Sequence, residues 1–134
     1  MATLIAHGPE PTARDFAQRL GTMLADQRGV TTAVEEFPLA AQYVDNVEAI
    51  IVVAEARDEI FHRGANNFLA AHYAESRQLS LFVAALGATE ELTDTQRAAI
   101  DAYAPRDMAY FRTDQPTDAA VKSWVGRISS RGAA

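Results

Sequence analysis

Residues 49–54 read AIIVVA, with no polar position among them. A strand with one wet face alternates apolar and polar residues. A run without alternation therefore belongs to a strand buried on both faces, as the central strands of parallel sheets are. Such a strand needs a helical layer above it and another below, which restricts the chain to a three-layer α/β architecture.

The flanking sequence supplies those layers in alternation. Thr3-Leu4-Ile5-Ala6 forms a first strand that stops at His7-Gly8. Thr12 then opens a pattern with Phe16, Leu20, Met23 and Leu24 on one helical face, ending near Gly29, whose freedom at positive φ suits a helix C-cap. Val30-Thr31-Thr32-Ala33-Val34 is a β-branched second strand closed by Glu35-Glu36-Phe37-Pro38, and a short turn or helical piece follows over residues 39–44. After the third strand at 49–54, residues 55–63 form a charged loop, and Ala65, Phe68, Leu69, His72 and Tyr73 recur at helical spacing. A fourth strand covers 79–86 and breaks at Gly87. Thr93-Asp94-Thr95-Gln96 fits a capping box for a helix running to about Ala104, before Pro105. Met108-Ala109-Tyr110-Phe111 is the last strand. Pro116-Thr117-Asp118 starts a final helix with Val121, Trp124, Val125 and Ile128 inward, and residues 129–134 are expected to fray. Right-handed crossovers between these strands give a doubly wound five-stranded parallel sheet, and the 2-1-3-4-5 order suits five strands.

Composition narrows the chemistry. A chain of 134 residues holds one core, so residues 1–134 are read as a single domain. With no cysteine there is no disulfide, thiolate nucleophile or cysteine-held iron–sulfur cluster. A net charge of −6 without a basic patch repels a phosphate backbone, so nucleic acid is not expected as a partner. No apolar run is long enough to span a bilayer and no signal-peptide layout is present, so the chain is expected in the cytoplasm without membrane insertion. No HxxxH or HExxH pattern offers a metal site, and GxGxxG, GxxxxGK[ST] and GxSxG are all absent.

The loops gathered at the carboxyl edge of such a sheet are residues 7–12, 54–63, 86–94 and 112–117, and ligands of this architecture bind there. Three pieces carry a resemblance: ATLIAHGPEPTARDFAQRL, VEAIIVVAEARDEIFHRGANNFLAAHYAES and LSLFVAALGATE. In their layout and spacing they resemble the flavodoxin-like family, most nearly its short protoporphyrinogen-oxidase-type branch. The resemblance implies FMN bound at the carboxyl edge, an electron-transfer or oxidoreductase role with a quinone or porphyrinogen-type substrate, and a redox or regulatory protein partner.

Family members wrap the FMN phosphate in a Ser/Thr- and Gly-rich turn ending in Thr. Thr12 matches that Thr and Gly8 shares its turn, with His7 at the strand end. The rest of the loop is degenerate. Pro9 and Pro11 have no N–H to donate, and Glu10 brings a negative charge either to the phosphate site or to solvent. Across the four loops eight acids (Glu10, Glu55, Asp58, Glu59, Glu90, Glu91, Asp94, Asp114) face three arginines (Arg57, Arg63, Arg112), so a dianion needs an inward arginine such as Arg14 or Arg57. The resemblance places the isoalloxazine against the second and third loops. Phe61 and His62 are the second-loop candidates, and Gly87 with Ala88 allows a close backbone approach in the third. Phe61 alternatively packs beneath its own loop. His7 and His62 can form an acid–base pair if they converge, with Glu55 or Asp58 nearby. His72, sharing a face with Phe68 and Leu69, is read as packed. The alternative reading is a flavin-free regulatory or protein-binding module on the same scaffold, such as a pseudo-receiver. His7-Gly8, Ala54-Glu55 and Arg112-Thr113 stand where a working receiver needs an acidic pair, an Asp and a Lys.

Overall fold

A computed structural model describes residues 2–57, 60–61, 63–72 and 80–132. In chain order the elements are β1 (Ala2–His7), α1 (Pro11–Arg28), β2 (Thr31–Glu36), α2 (Phe37–Ala40), a 3₁₀ turn (Ala41–Asn46), β3 (Ala49–Arg57), β4 (Ile60–Phe61), α3 (Arg63–Ala71), β5 (Ser80–Gly87), α4 (Asp94–Asp101), β6 (Asp107–Arg112) and α5 (Asp118–Gly132). The strands lie in the order β2-β1-β3-β5-β6, all parallel, with β4 hydrogen-bonded antiparallel to β3. Counting only the five parallel strands, this is the expected 2-1-3-4-5 order.

The sheet divides the core in two. Leu4, Ala6, Ile50, Val52, Ala54, Leu81, Val83 and Ala85 face one way, onto Phe37, Phe68, Leu69 and Ile100 of α2, α3 and α4. Ile5, Ile51, Val53, Phe82, Ala84 and Leu86 face the other way, onto Phe16, Leu20 and Leu24 of α1 and Val121, Trp124, Val125 and Ile128 of α5. Residues 50–54 are at most 1% exposed, so β3 is buried on both faces, as its lack of alternation requires.

Local signals fix the helix ends. Gly29 caps α1 at φ 63°, its N–H donating to the Ala25 and Leu24 carbonyls. At the start of α4, the Thr93 hydroxyl accepts from the Gln96 N–H while the Gln96 side chain accepts from the Thr93 N–H, completing the capping box.

Four boundaries depart from the sequence reading. The β2 edge strand runs on through Glu35 and Glu36, because its residues are half-buried rather than enclosed and tolerate acids. The second loop is partly a hairpin: β3 extends to Arg57, and Ala56 and Arg57 pair with Phe61 and Ile60. Helix α4 stops at Asp101, and Ala104 takes φ 49°, since the following proline disfavours helical backbone at that residue. Helix α5 continues through Gly132, because Ser129-Ser130-Arg131 contains no helix breaker. The expected positions of Tyr73 and Leu79 lie outside the described residues. Among the described residues no helix is long and apolar enough to cross a membrane.

These placements set the stability of two positions. The left-handed conformation costs a residue with a Cβ about 1–2 kcal/mol, so Ala104→Gly should raise stability by up to about 1 kcal/mol after the entropy of glycine is subtracted. Trp124 is 3% exposed, packs edge-on to Phe111 at 5.8 Å, and buries an indole N–H that has no acceptor among the described residues. Trp124→Ala should cost about 3–5 kcal/mol. Trp124→Phe, which also removes the unsatisfied donor, should cost less than about 1.5 kcal/mol. Urea unfolding of the variants checks both.

Candidate functional site at the carboxyl edge

His7, Glu36, Arg57, Gly87 and Arg112 end the five parallel strands, so their loops share one edge. The sheet order reverses between β1 and β3, which puts the crevice between their loops at the topological switch point.

The first loop is held tightly. His7 is 3% exposed, and its Nδ1 lies 2.7 Å from the Gly8 carbonyl oxygen. A carbonyl only accepts, so Nδ1 carries the proton and a neutral ring keeps Nε2 as its acceptor. Gly8 is buried, and Glu10 stands at the N-cap of α1 with extended backbone, its side chain forming no cap hydrogen bond. Pro11 occupies the first turn and Arg14 already donates to the Glu10 carbonyl, at 3.0 Å. Thr12 and Ala13 are then the residues of that turn whose N–H groups lack an intrahelical acceptor. One Glu10 carboxylate oxygen, Oε2, is shielded from solvent, so the acid is turned against the protein. Arg14 is half-exposed and lies 3.8 Å from Asp15. These residues do not fit a tight phosphate cradle: donors are few, and a carboxylate is held at the loop.

Backbone register places Arg57 at the end of β3, opposite Ile60, and Phe61 opposite Ala56. His62, Asp58 and Glu59 lie outside the described residues. The His72 and Phe68 rings pack at a tilt with centroids 5.0 Å apart, and Phe68 and Phe37 do so at 5.3 Å. These three rings line a crevice of about 470 Å³ together with Pro9, Pro38 and Gly64, beside the first loop on the α2–α3 side. Its size is within the range of small-molecule sites.

The third loop is tied down by a residue that sequence reading passes over as strand filler. A Cβ on Gly87 would lie 2.5 Å from the Tyr110 hydroxyl, so the space left by the missing side chain is filled by that ring. The Tyr110 hydroxyl donates to the Thr89 carbonyl at 2.8 Å, and the Thr89 hydroxyl, 3.0 Å from the same phenol oxygen, donates to the Glu91 carbonyl at 3.0 Å. Ala88 is exposed beyond this latch. In register Tyr110 lies opposite Ala85, two residues before Gly87, so its reach to the glycine comes from the side chain and no sequence pattern marks it.

In the fourth loop, Arg112 grips Asp114 through two parallel bonds, Nε to Oδ1 at 3.1 Å and Nη2 to Oδ2 at 2.8 Å. The Thr113 N–H donates to the Gly87 carbonyl at 2.8 Å, joining this loop to the third. Thr12 and Arg112 line one small cavity between α1 and this loop.

The fold defined by this sheet and its loops is the flavodoxin-like one. The structure resembles a flavodoxin from Fusobacterium nucleatum bound to flavin mononucleotide, with TM-score 0.74, 8% identity, and 98% of each chain covered. A point mutant of a Pseudomonas aeruginosa flavodoxin aligns with TM-score 0.70 and 15% identity over 100% of both chains. The rubredoxin oxygen:oxidoreductase of Desulfovibrio gigas aligns with TM-score 0.73 and 12% identity, covering 97% of this chain and 35% of that one. The chain thus spans about a third of that oxidoreductase's length. No protein-family model matches the sequence. No curated protein sequence matches it either.

The Arg112 contact carries a pH dependence. Hydrogen bonding to Arg112, reinforced by its charge, holds the Asp114 carboxyl below the usual carboxylate range. A depressed folded-state pKa adds stability that is complete above about pH 4, the ordinary unfolded value, and is lost as pH falls through the folded one. An Asp114→Asn variant should therefore be less stable than the parent at neutral pH, with the gap closing in acid. Carboxyl NMR titration together with unfolding at several pH values tests this.

Proposed function

We propose that the chain is a flavin-type electron-transfer protein whose grip on the flavin phosphate is weak. The observation that carries this reading is the whole-chain match to a flavodoxin bound to flavin mononucleotide, set beside a first loop in which two prolines have no N–H to donate. Thr12 and Gly8 would contact the phosphate, Arg57, Phe61 and His62 would border the ring on the second loop, and Ala88 on the third. A bound flavin supplies one- and two-electron chemistry, while the protein sets its orientation and electrostatics. His7, with Nδ1–H committed to Gly8, leaves Nε2 as the ring's remaining hydrogen-bonding nitrogen. The donor, the acceptor and any quinone or porphyrinogen-type substrate would meet this edge, and a protein partner would dock over it.

Titration with FMN and with riboflavin, followed by quenching of flavin fluorescence, tests the reading. FMN should bind saturably and no more than about tenfold more tightly than riboflavin, because the phosphate gains little from this loop. Glu10→Gly should widen that ratio in favour of FMN, since at 4 Å and an effective dielectric of 20 a like charge opposes by roughly 4 kcal/mol before screening. Absence of saturable binding by either flavin overturns the proposal and leaves a flavin-free scaffold. A tight, phosphate-dependent FMN complex in the parent chain would overturn the weak-grip part alone.

A further inference from the structure

A second place at the carboxyl edge has the donors that the first loop lacks. Between the flank of α1 and the loop entering α5 lies a cavity of about 70 Å³, floored by Phe16, Leu86 and Phe111. Its polar wall consists of Thr12, Arg19, Arg112, Thr113, Gln115 and Thr117. The space is well above the roughly 10–15 Å³ that a single water needs, so a small ion fits it.

Thr117 is the residue that points to a ligand. It stands immediately before the 15-residue helix α5, and its carbonyl accepts the first intrahelical bond, from the Val121 N–H at 2.8 Å. A threonine at that position ordinarily turns its hydroxyl back onto the helix N–H groups. Here Thr117 is 9% exposed and lines the cavity, and its hydroxyl makes no hydrogen bond among the described residues. The positive end of the α5 dipole lies at the same spot.

The two guanidiniums are already oriented. Asp114 accepts the Nε hydrogen and one Nη2 hydrogen of Arg112, leaving the two on Nη1 and the second on Nη2 to donate. Arg19 is held by Asp118 at 3.1 Å and lies over the Phe16 ring at 5.9 Å. Asp114, Asp118 and the more distant Glu90 oppose an anion; the hydroxyls, the helix end and the two arginines favour one.

We propose that this cavity binds a tetrahedral oxyanion, either inorganic phosphate or the phosphoryl end of a larger molecule. The cavity shares Thr12 with the flavin reading, and its proposal does not depend on flavin binding. The test is titration of the ¹⁵N-labelled chain with inorganic phosphate into the millimolar range at constant ionic strength, with chloride as the control salt. Saturable shifts centred on the amides of Thr113, Thr117 and Asp118 and on Arg112 Nε are expected. Thr117→Val and Arg112→Gln should each weaken binding about tenfold or more, and Thr117→Ser should retain it. Unchanged amide spectra away from the cavity establish that the variants are folded. Shifts that fail to saturate, spread over the surface, or persist undiminished in folded Thr117→Val overturn the proposal. Phenyl phosphate separates the two sources: binding as tight as phosphate or tighter assigns the cavity to an ester, and exclusion assigns it to the free ion.

Discussion

The double burial of β3 against β5 and β1 is the constraint on which the molecule depends. Seven residue pairs join β3 to β5 and five join it to β1, and its side chains alternate between two cores that do not mix. Neither core can form without the sheet, and the sheet cannot stay dry without both. Parallel pairing then forces every connection to cross a face, so the chain must leave each strand through a loop at the same edge. The site is a by-product of that topology: five strand ends and four loops converge before any residue in them is chosen.

What the loops do with that edge differs from one side to the other. The first loop commits its backbone to proline, a histidine locked to its neighbour's carbonyl, and an acid turned inward. The third and fourth loops are cross-linked through Gly87, Tyr110 and Thr113, and the fourth presents Arg112 already aligned by Asp114, across from Arg19 of α1, which Asp118 holds. Aligned guanidiniums lose little entropy on meeting a ligand, whereas a proline-bearing turn cannot acquire donors by any rearrangement. The edge therefore offers its strongest anion chemistry beside α5 rather than at the tip of α1.

Much of the fold was legible because its signals are local or periodic: AIIVVA for the central strand, Gly29 for a C-cap, Thr93 with Gln96 for a capping box. The errors fell where a neighbour decides. Residues 55–57 look like loop in sequence, since their charge hides that Ala56 has Phe61 to pair with. Ala104 carries no mark of a left-handed backbone apart from the proline after it. At the site the same division holds. The places of His7, Gly8 and Thr12 in the first loop were legible from the strand–loop–helix grammar, but Tyr110 reaches Gly87 from another strand, and Thr117 was readable only as a helix start. Contacts between loops far apart in sequence leave no periodic trace in any one of them.

This separation explains how 8% identity coexists with superposition over 98% of both chains. The alternating faces of the sheet ask only for apolar residues of suitable volume, a demand that many sequences meet. Loop residues are free of that demand because they bury little apolar surface. Pro9-Glu10-Pro11 costs the fold almost nothing: Pro11 is well suited to the first turn of α1, and Gly8 follows the strand end. The same segment offers an anion few backbone donors, since neither proline has an N–H. Fold and ligand preference are thus set by different residues, and a close structural match constrains the second only through the loops that retain the necessary donors.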